Sequence, residues 1–198
     1  STGLPVRFTL AREQFGSPAT SYPLSVGWAR DSRDSVIAPT QGRYQRLNTE
    51  VSMLSDMRYV KANYQIQQYI PLSKKYTLAL NGELGYGKGL NGRPFPLFKN
   101  FFSGGLGSVR AFATDSLGPV DMSGQLVGGT RKLNFNSELY LPVPGSGNDK
   151  SLRIFLFGDA GYVWGHYEPV RLKDLRASAG LGVSWMSPMG PLRFALAV

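Results

Sequence analysis

Apolar and polar residues alternate with a period of two along most of this chain, and the polar face is as consistent as the apolar one. From Tyr76, one face reads Tyr76, Leu78, Leu80, Gly82, Leu84, Tyr86, and the other Thr77, Ala79, Asn81, Glu83, Gly85. Val60, Ala62, Tyr64 and Ile66 oppose Lys61, Asn63, Gln65 and Gln67. Leu133, Phe135, Ser137 and Leu139 oppose Asn134, Asn136, Glu138 and Tyr140. Leu152, Ile154, Leu156, Gly158 and Ala160 oppose Arg153, Phe155, Phe157 and Asp159, and the run from Leu175 to Trp185 follows suit. A period of two is the side-chain geometry of a β-strand. Weaker examples at 22–31, 43–54 and 192–198 bring the expectation to about eight strands.

The connections alternate too. Short, turn-like segments occupy 38–42, 71–74 and 187–190, with a longer Gly/Pro/Asn-rich link at 142–150. Between them fall the 55–58 link, a long segment of about 88–129, and 165–173. Short turns at one end and long loops at the other are the plan of a bacterial outer-membrane barrel. A soluble antiparallel sandwich also alternates. It does not usually keep Asn, Gln, Lys, Arg and Glu on one face of so many consecutive strands. One face is wet and the other apolar, which predicts an all-β, antiparallel transmembrane wall.

Composition narrows the chemistry. There is no cysteine, hence no disulfide framework and no thiolate metal site. The one histidine, His166, excludes a multi-histidine metal centre built from this chain alone. No run of about 18 apolar residues encodes a membrane helix, and a β-barrel needs none. The net charge of +9 is scattered over strands and turns, so nucleic acid is not an expected partner.

Several familiar motifs do not hold up. Gly87-Lys88-Gly89-Leu90-Asn91-Gly92 matches a dinucleotide pattern, but Arg93-Pro94-Phe95-Pro96 follows where a helix is required. It reads as a flexible exit from a strand. The glycine-rich run 103–108 lacks the lysine of a phosphate loop. Asp31 and Asp34 read as turn-capping residues rather than as a metal pair. Neither a cofactor nor a catalytic group is expected.

The segment 98–119 is the most specific part. It carries one arginine, Arg110, in Val109-Arg110-Ala111-Phe112, within a long non-strand stretch. Further on, Glu138 and Asp159 fall on the polar side of predicted strands. Together with Asp31-Ser32-Arg33-Asp34, Pro39-Thr40-Gln41-Gly42 and the late runs 157–164 and 185–192, these residues resemble the BamA family of outer-membrane protein insertases. The resemblance spans about 22–198. Val109, Arg110, Ala111 and Phe112 occupy the place of the family's loop motif, with Ala111 where the family has glycine. Asp31, Asp34, Pro39, Thr40 and Gly42 are similar to its strand-end motif before a periplasmic turn.

The resemblance implies the C-terminal part of a larger, 16-stranded barrel whose long extracellular loop folds inward. In it, Arg110 pairs with Glu138 and Asp159. It implies residence in the Gram-negative outer membrane, insertion of client β-barrel proteins, and accessory lipoprotein partners, with no covalent chemistry. Residues 1–21 are expected to be a leading loop or partial strand, and 22–198 the barrel segment. A piece of this kind has open edges through which it can self-associate. Three other readings stay open at this point: a sibling translocation or secretion pore (TamA-like or two-partner), a passive porin, and a soluble basic β-domain binding an acidic polymer.

Overall fold

The structure, a computed structural model, describes residues 23–53, 57–104, 108–112, 115–120, 122–145, 151–166 and 168–198. The leading segment 1–21 lies outside the described residues, as do parts of the 55–58 and 103–108 stretches. Eight antiparallel strands form one sheet in sequence order: β1 (Pro23–Asp31), β2 (Gly42–Ser52), β3 (Tyr59–Pro71), β4 (Thr77–Gly89), β5 (Arg131–Pro142), β6 (Leu152–Trp164), β7 (Arg176–Ser187) and β8 (Gly190–Ala197). Two single-turn 3-10 helices, Leu97–Lys99 and Leu172–Asp174, sit in the connections. No described helix is long and apolar enough to cross a membrane, which says nothing of strands.

Register decides the two faces. Tyr69 opposes Ala79, Glu138 opposes Ala79 from the other side, and Glu138 opposes Phe157. Residues paired in this way point the same way. The inner face therefore carries Lys61, Gln65 and Gln67 of β3, Asn81 and Glu83 of β4, Asn136 and Glu138 of β5, and Asp159 of β6. The outer face carries Leu24, Val26 and Trp28 of β1, Leu84 and Tyr86 of β4, Phe135, Leu156, Leu181, Trp185, Phe194 and Leu196, all of them exposed. These exposed apolar residues stand on six of the eight strands, which marks a surface made for an apolar surrounding rather than for water. The stretch between the exposed rings of Tyr76, just ahead of β4, and Tyr86 on β4 covers about 34 Å along the chain, or about 25 Å of height at a barrel strand's usual tilt. That is the height of the apolar band of a membrane barrel. The soluble reading fails on this face.

The apolar packing lies inside the curve, under the long β4–β5 connection. Phe95 stacks edge-on against Tyr59 with centroids 5.7 Å apart. It fits because Gly87 has no side chain; a Cβ there would lie 2.6 Å from the Phe95 ring. Gly85 leaves the same space for Phe101, 2.8 Å from where its Cβ would stand. So Gly87 and Gly89 are not a flexible exit: both belong to β4, and packing against the returning chain requires them bare. A second cluster, Tyr140, Phe155 and Phe157, sits lower on β5 and β6. The sheet is open, with β1 and β8 as its two edges among the described residues.

An arginine on the outer face tests the membrane assignment. Leu156→Arg, midway up β6, is expected to destabilise the parent protein in a bilayer by about 2–4 kcal/mol in urea titration. A neutral outcome contradicts the lipid-facing assignment.

Candidate functional site

The β4–β5 connection folds back into the curve of the sheet and is tied down as it goes. Phe101 exchanges backbone hydrogen bonds with Gly129, at 2.8 and 2.9 Å. Ser103 and Leu117 form a bridge, as do Val120 and Leu126. Lys61 Nζ donates to the Lys99 carbonyl at 2.8 Å and lies 4.5 Å from the Phe101 ring centre. Lys99 in turn pairs with Glu50 at 3.1 Å. Ser103 Oγ donates to Asn134 Oδ1 at 2.9 Å, and Ser108 Oγ accepts from the Gly104 amide at 2.7 Å. Each tie fixes another stretch of the loop against the inner wall before its tip is reached.

At the tip, Arg110 grips Asp159. Its Nε donates to Asp159 Oδ2 at 2.7 Å, its Nη2 to Oδ1 at 2.8 Å, and its backbone amide to Oδ2 at 3.1 Å. Two parallel guanidinium bonds to one carboxylate are the strongest form of this pairing. Nη1 lies 3.7 Å from Glu138 Oε1. The guanidinium carbon of Arg110 lies over the Phe157 ring, 3.7 Å from its centre. The Asp159 side chain is wholly shielded from solvent and that of Arg110 is 8% exposed. Removing one partner of so shielded a pair costs about 3–5 kcal/mol.

A row of side-chain amides supports the carboxylate. Gln65 Nε2 donates to Asn81 Oδ1 at 3.2 Å, and Asn81 Nδ2 to Asn136 Oδ1 at 2.9 Å. Asn136 Nδ2 then donates both to Asp159 Oδ1, at 2.8 Å, and to the Ser108 carbonyl, at 2.5 Å. The row crosses β3, β4, β5 and β6 and ends on the loop. Glu138 also accepts from Tyr140 Oη at 2.9 Å and from Arg193 of β8.

The remaining residues of the loop motif behave differently from one another. Val109 is fully buried beside Gly161, where a Cβ would stand 2.9 Å from Val109 Cγ2. Phe112 is half-buried. Ala111 is exposed and has φ of +76°, a left-handed conformation that costs an L-residue about 1–2 kcal/mol. Alanine holds the backbone shape that glycine adopts without strain.

Asp34, Pro39 and Thr40 lie in the β1–β2 turn and Asp31 and Gly42 at the strand ends that flank it, away from Arg110, and the two sets do not meet. Asp34 accepts from the Thr40 amide at 2.8 Å, the Thr40 hydroxyl at 2.5 Å and the Gln41 amide at 3.3 Å. The Thr40 hydroxyl, chiefly, holds the Asp34 carboxyl below the usual carboxylate range. Asp31 takes a two-pronged contact from Arg33, at 2.9 and 2.8 Å. Pro39 is buried, and Gly42 has φ of +105° with the Ser32 carbonyl directly against it. These residues stitch a turn. No group of three metal-ligating side chains occurs among the described residues.

Sequence reasoning missed Asn136, Phe157 and Arg193 as members of the site. All three stand on the inner, polar-side positions of their strands. Only the strand register, in which Asn136 opposes Asp159 and Glu138 opposes Phe157, brings them to the loop.

An open wall with an apolar exterior and a loop clamped to its interior defines the class: a transmembrane β-barrel of the outer membrane with an inward-folded loop. A family model for the Omp85 superfamily domain matches residues 11–198, and the chain belongs to that superfamily. It is 35% identical to the outer membrane protein assembly factor BamA of Neisseria meningitidis over 89% of this chain and 26% of that protein. It is 31% identical to a SAM50-like protein of Schizosaccharomyces pombe, over 83% of this chain and 37% of that one. The crystal structure of Haemophilus ducreyi BamA lacking POTRA domains 1–3 superimposes with a TM-score of 0.83 at 28% identity, over 98% of this chain and 44% of that one. The chain thus spans between 26% and 37% of the length of these curated relatives.

Relief of the strain at the tip is measurable. Ala111→Gly is expected to raise the stability of the folded parent by about 1 kcal/mol, seen as a higher temperature for loss of compact mobility on a gel. A loss of stability would mean that the loop does not need φ > 0 there.

Proposed function

We propose that the protein to which this chain belongs folds and inserts β-barrel proteins into the bacterial outer membrane, and that this segment is the wall on which its inward loop is braced. The observation that carries the reading is the Arg110–Asp159 clamp, set in a wall whose relatives include proteins named as outer-membrane assembly factors. The role assigned to Val109, Arg110, Ala111 and Phe112, with Glu138 and Asp159, is to hold the loop so that the barrel keeps one shape on this side. Rearrangement can then be confined to strands elsewhere. The β1–β2 turn residues Asp31, Asp34, Pro39, Thr40 and Gly42 are proposed to keep the periplasmic end of the wall closed and rigid.

The reaction involves no covalent step. Client strands are matched to exposed strand edges by backbone hydrogen bonding, as in β-strand addition. Outer-membrane lipids surround the wall, and accessory lipoproteins are expected to assist. The isolated segment, with both edges bare, is expected to associate with itself and not to insert clients.

The test is client insertion by the full-length parent in proteoliposomes. The parent should accelerate folding of a β-barrel client, and Arg110→Ala should slow it while Arg110→Lys retains part of the effect. Failure of the unaltered parent to accelerate folding sinks the insertase reading. Full acceleration by folded Arg110→Ala sinks the brace.

A further inference from the structure

The outer face changes character at a definite level near the short turns. Trp28 of β1, Tyr76 just ahead of β4 and Trp185 of β7 are exposed rings at that end of the sheet. Trp28 opposes Leu47, Leu47 opposes Tyr64 and Tyr64 opposes Leu84, so this row lies on the lipid-facing side. Aromatic rings along the edge of an apolar band mark the boundary with the lipid headgroups. On β1 the apolar run Leu24, Val26, Trp28 ends there, and Arg30 is the next residue on that face.

Past the boundary, the same face becomes basic. Arg30 follows Trp28 by about 7 Å along the strand. It opposes Gln45, and Arg43, two residues nearer the turn on β2, is its diagonal neighbour. Gln68 of β3 opposes Arg43 and completes the row. These four side chains, with Ser32 and Gly42, line a hollow of about 310 Å³. Arg30 and Arg43 are exposed on the lipid-facing side, so the hollow opens outward, directly beside the apolar band.

The hollow presents oriented cationic donors without a counter-charge. Arg43 Nε donates to Gln68 Oε1 at 2.7 Å, and Gln68 Nε2 donates to the Gly42 carbonyl at 3.3 Å. The guanidinium is thus held by its inner nitrogen, with Nη1 and Nη2 left for an oxyanion. Neither arginine has an ion-pair partner among the described residues. The carboxylates of β1–β3 are Asp31 and Glu50, both on the inner face, where they pair with Arg33 and Lys99. Asp34 of the turn accepts from Thr40. Two arginines beside each other carry more positive charge than a zwitterionic headgroup neutralises.

We propose that Arg30 and Arg43 bind the phosphate of an anionic glycerophospholipid in the periplasmic leaflet, with Gln45, Gln68 and Ser32 around the headgroup and an acyl chain along Trp28 and Leu47. Cations and apolar contacts lie on one face, and the short-turn end is the periplasmic end in barrels of this class. A free phosphate would find the arginines but has no use for Trp28 and Leu47. The site is separate from the Arg110 clamp and does not depend on the insertase reading.

The experiment is photo-crosslinking of a photoactivatable phosphatidylglycerol, at low fraction in phosphatidylcholine nanodiscs, to the full-length parent. Crosslinks are mapped on peptides, and folding of each variant is checked by compact mobility on a gel. The parent should give a crosslink within residues 24–47. Paired Arg30→Glu and Arg43→Glu changes should cut it at least tenfold, since each basic residue near a charged lipid surface contributes measurably. The neutral pair Arg30→Gln and Arg43→Gln should act in the same direction. Paired Lys74→Glu and Lys75→Glu changes, in the β3–β4 turn at the same end, make the same change in net charge and should cost less than twofold. Excess glycerol 3-phosphate should not compete, and a phosphatidylcholine probe should crosslink there several-fold less. The proposal is overturned if the folded arginine variants crosslink like the parent, if the lysine variant loses as much, if glycerol 3-phosphate competes, or if the phosphatidylcholine probe does as well.

Discussion

A single buried charge pair holds the interior of this wall together. Arg110 comes from the β4–β5 connection, and Asp159 from the middle of β6. Neither could stay ionised in such a shielded place alone, because an uncompensated buried charge costs several kcal/mol. Each is therefore the condition for the other's burial. The loop can be inside only because Asp159 waits there, and Asp159 can be wholly covered only because the loop arrives.

The wall is prepared for that arrival. Gly85 and Gly87 leave space for Phe101 and Phe95, and Gly161 leaves space for Val109. The amide row from Gln65 to Asn136 aligns Asp159 and at the same time holds the Ser108 carbonyl, one bond short of the arginine's own neighbour in the chain. The Phe157 ring lies beneath the guanidinium, its centre 3.7 Å from the Arg110 Cζ, and helps to shield it from water. Four strands and the loop tip are thereby joined into one polar network, and a fully satisfied network of this kind favours one arrangement over its neighbours. The strained backbone at Ala111 is tolerated at the point where the chain must turn away from the clamp.

Much of the wall is legible in the sequence because a lipid-facing strand has to alternate. All eight strands fall on the alternating runs, and most of the connections, though not the 53–58 link, carry the glycine or proline that marks them. Arg110 stands out as the lone arginine of the segment 98–119, and its pairing with Glu138 and Asp159 on the polar side of strands is what the family resemblance implies. What pattern alone does not give is register. Asn136 and Phe157 look like any other inner-face residues until β5 and β6 are laid side by side. The glycines of β4 show the opposite limit: they read as flexibility, but their role is set by an aromatic ring arriving from another part of the chain.

The most direct test of this account is a double-mutant cycle on the stability of the full-length parent, with Arg110→Ala, Asp159→Ala and both together. The account predicts that each single change costs about 3–5 kcal/mol and that the double change costs little more than either alone, since removing one charge already forfeits the pair. Strictly additive costs, or single changes worth only a few tenths, would show that Arg110 and Asp159 do not hold the loop to the wall.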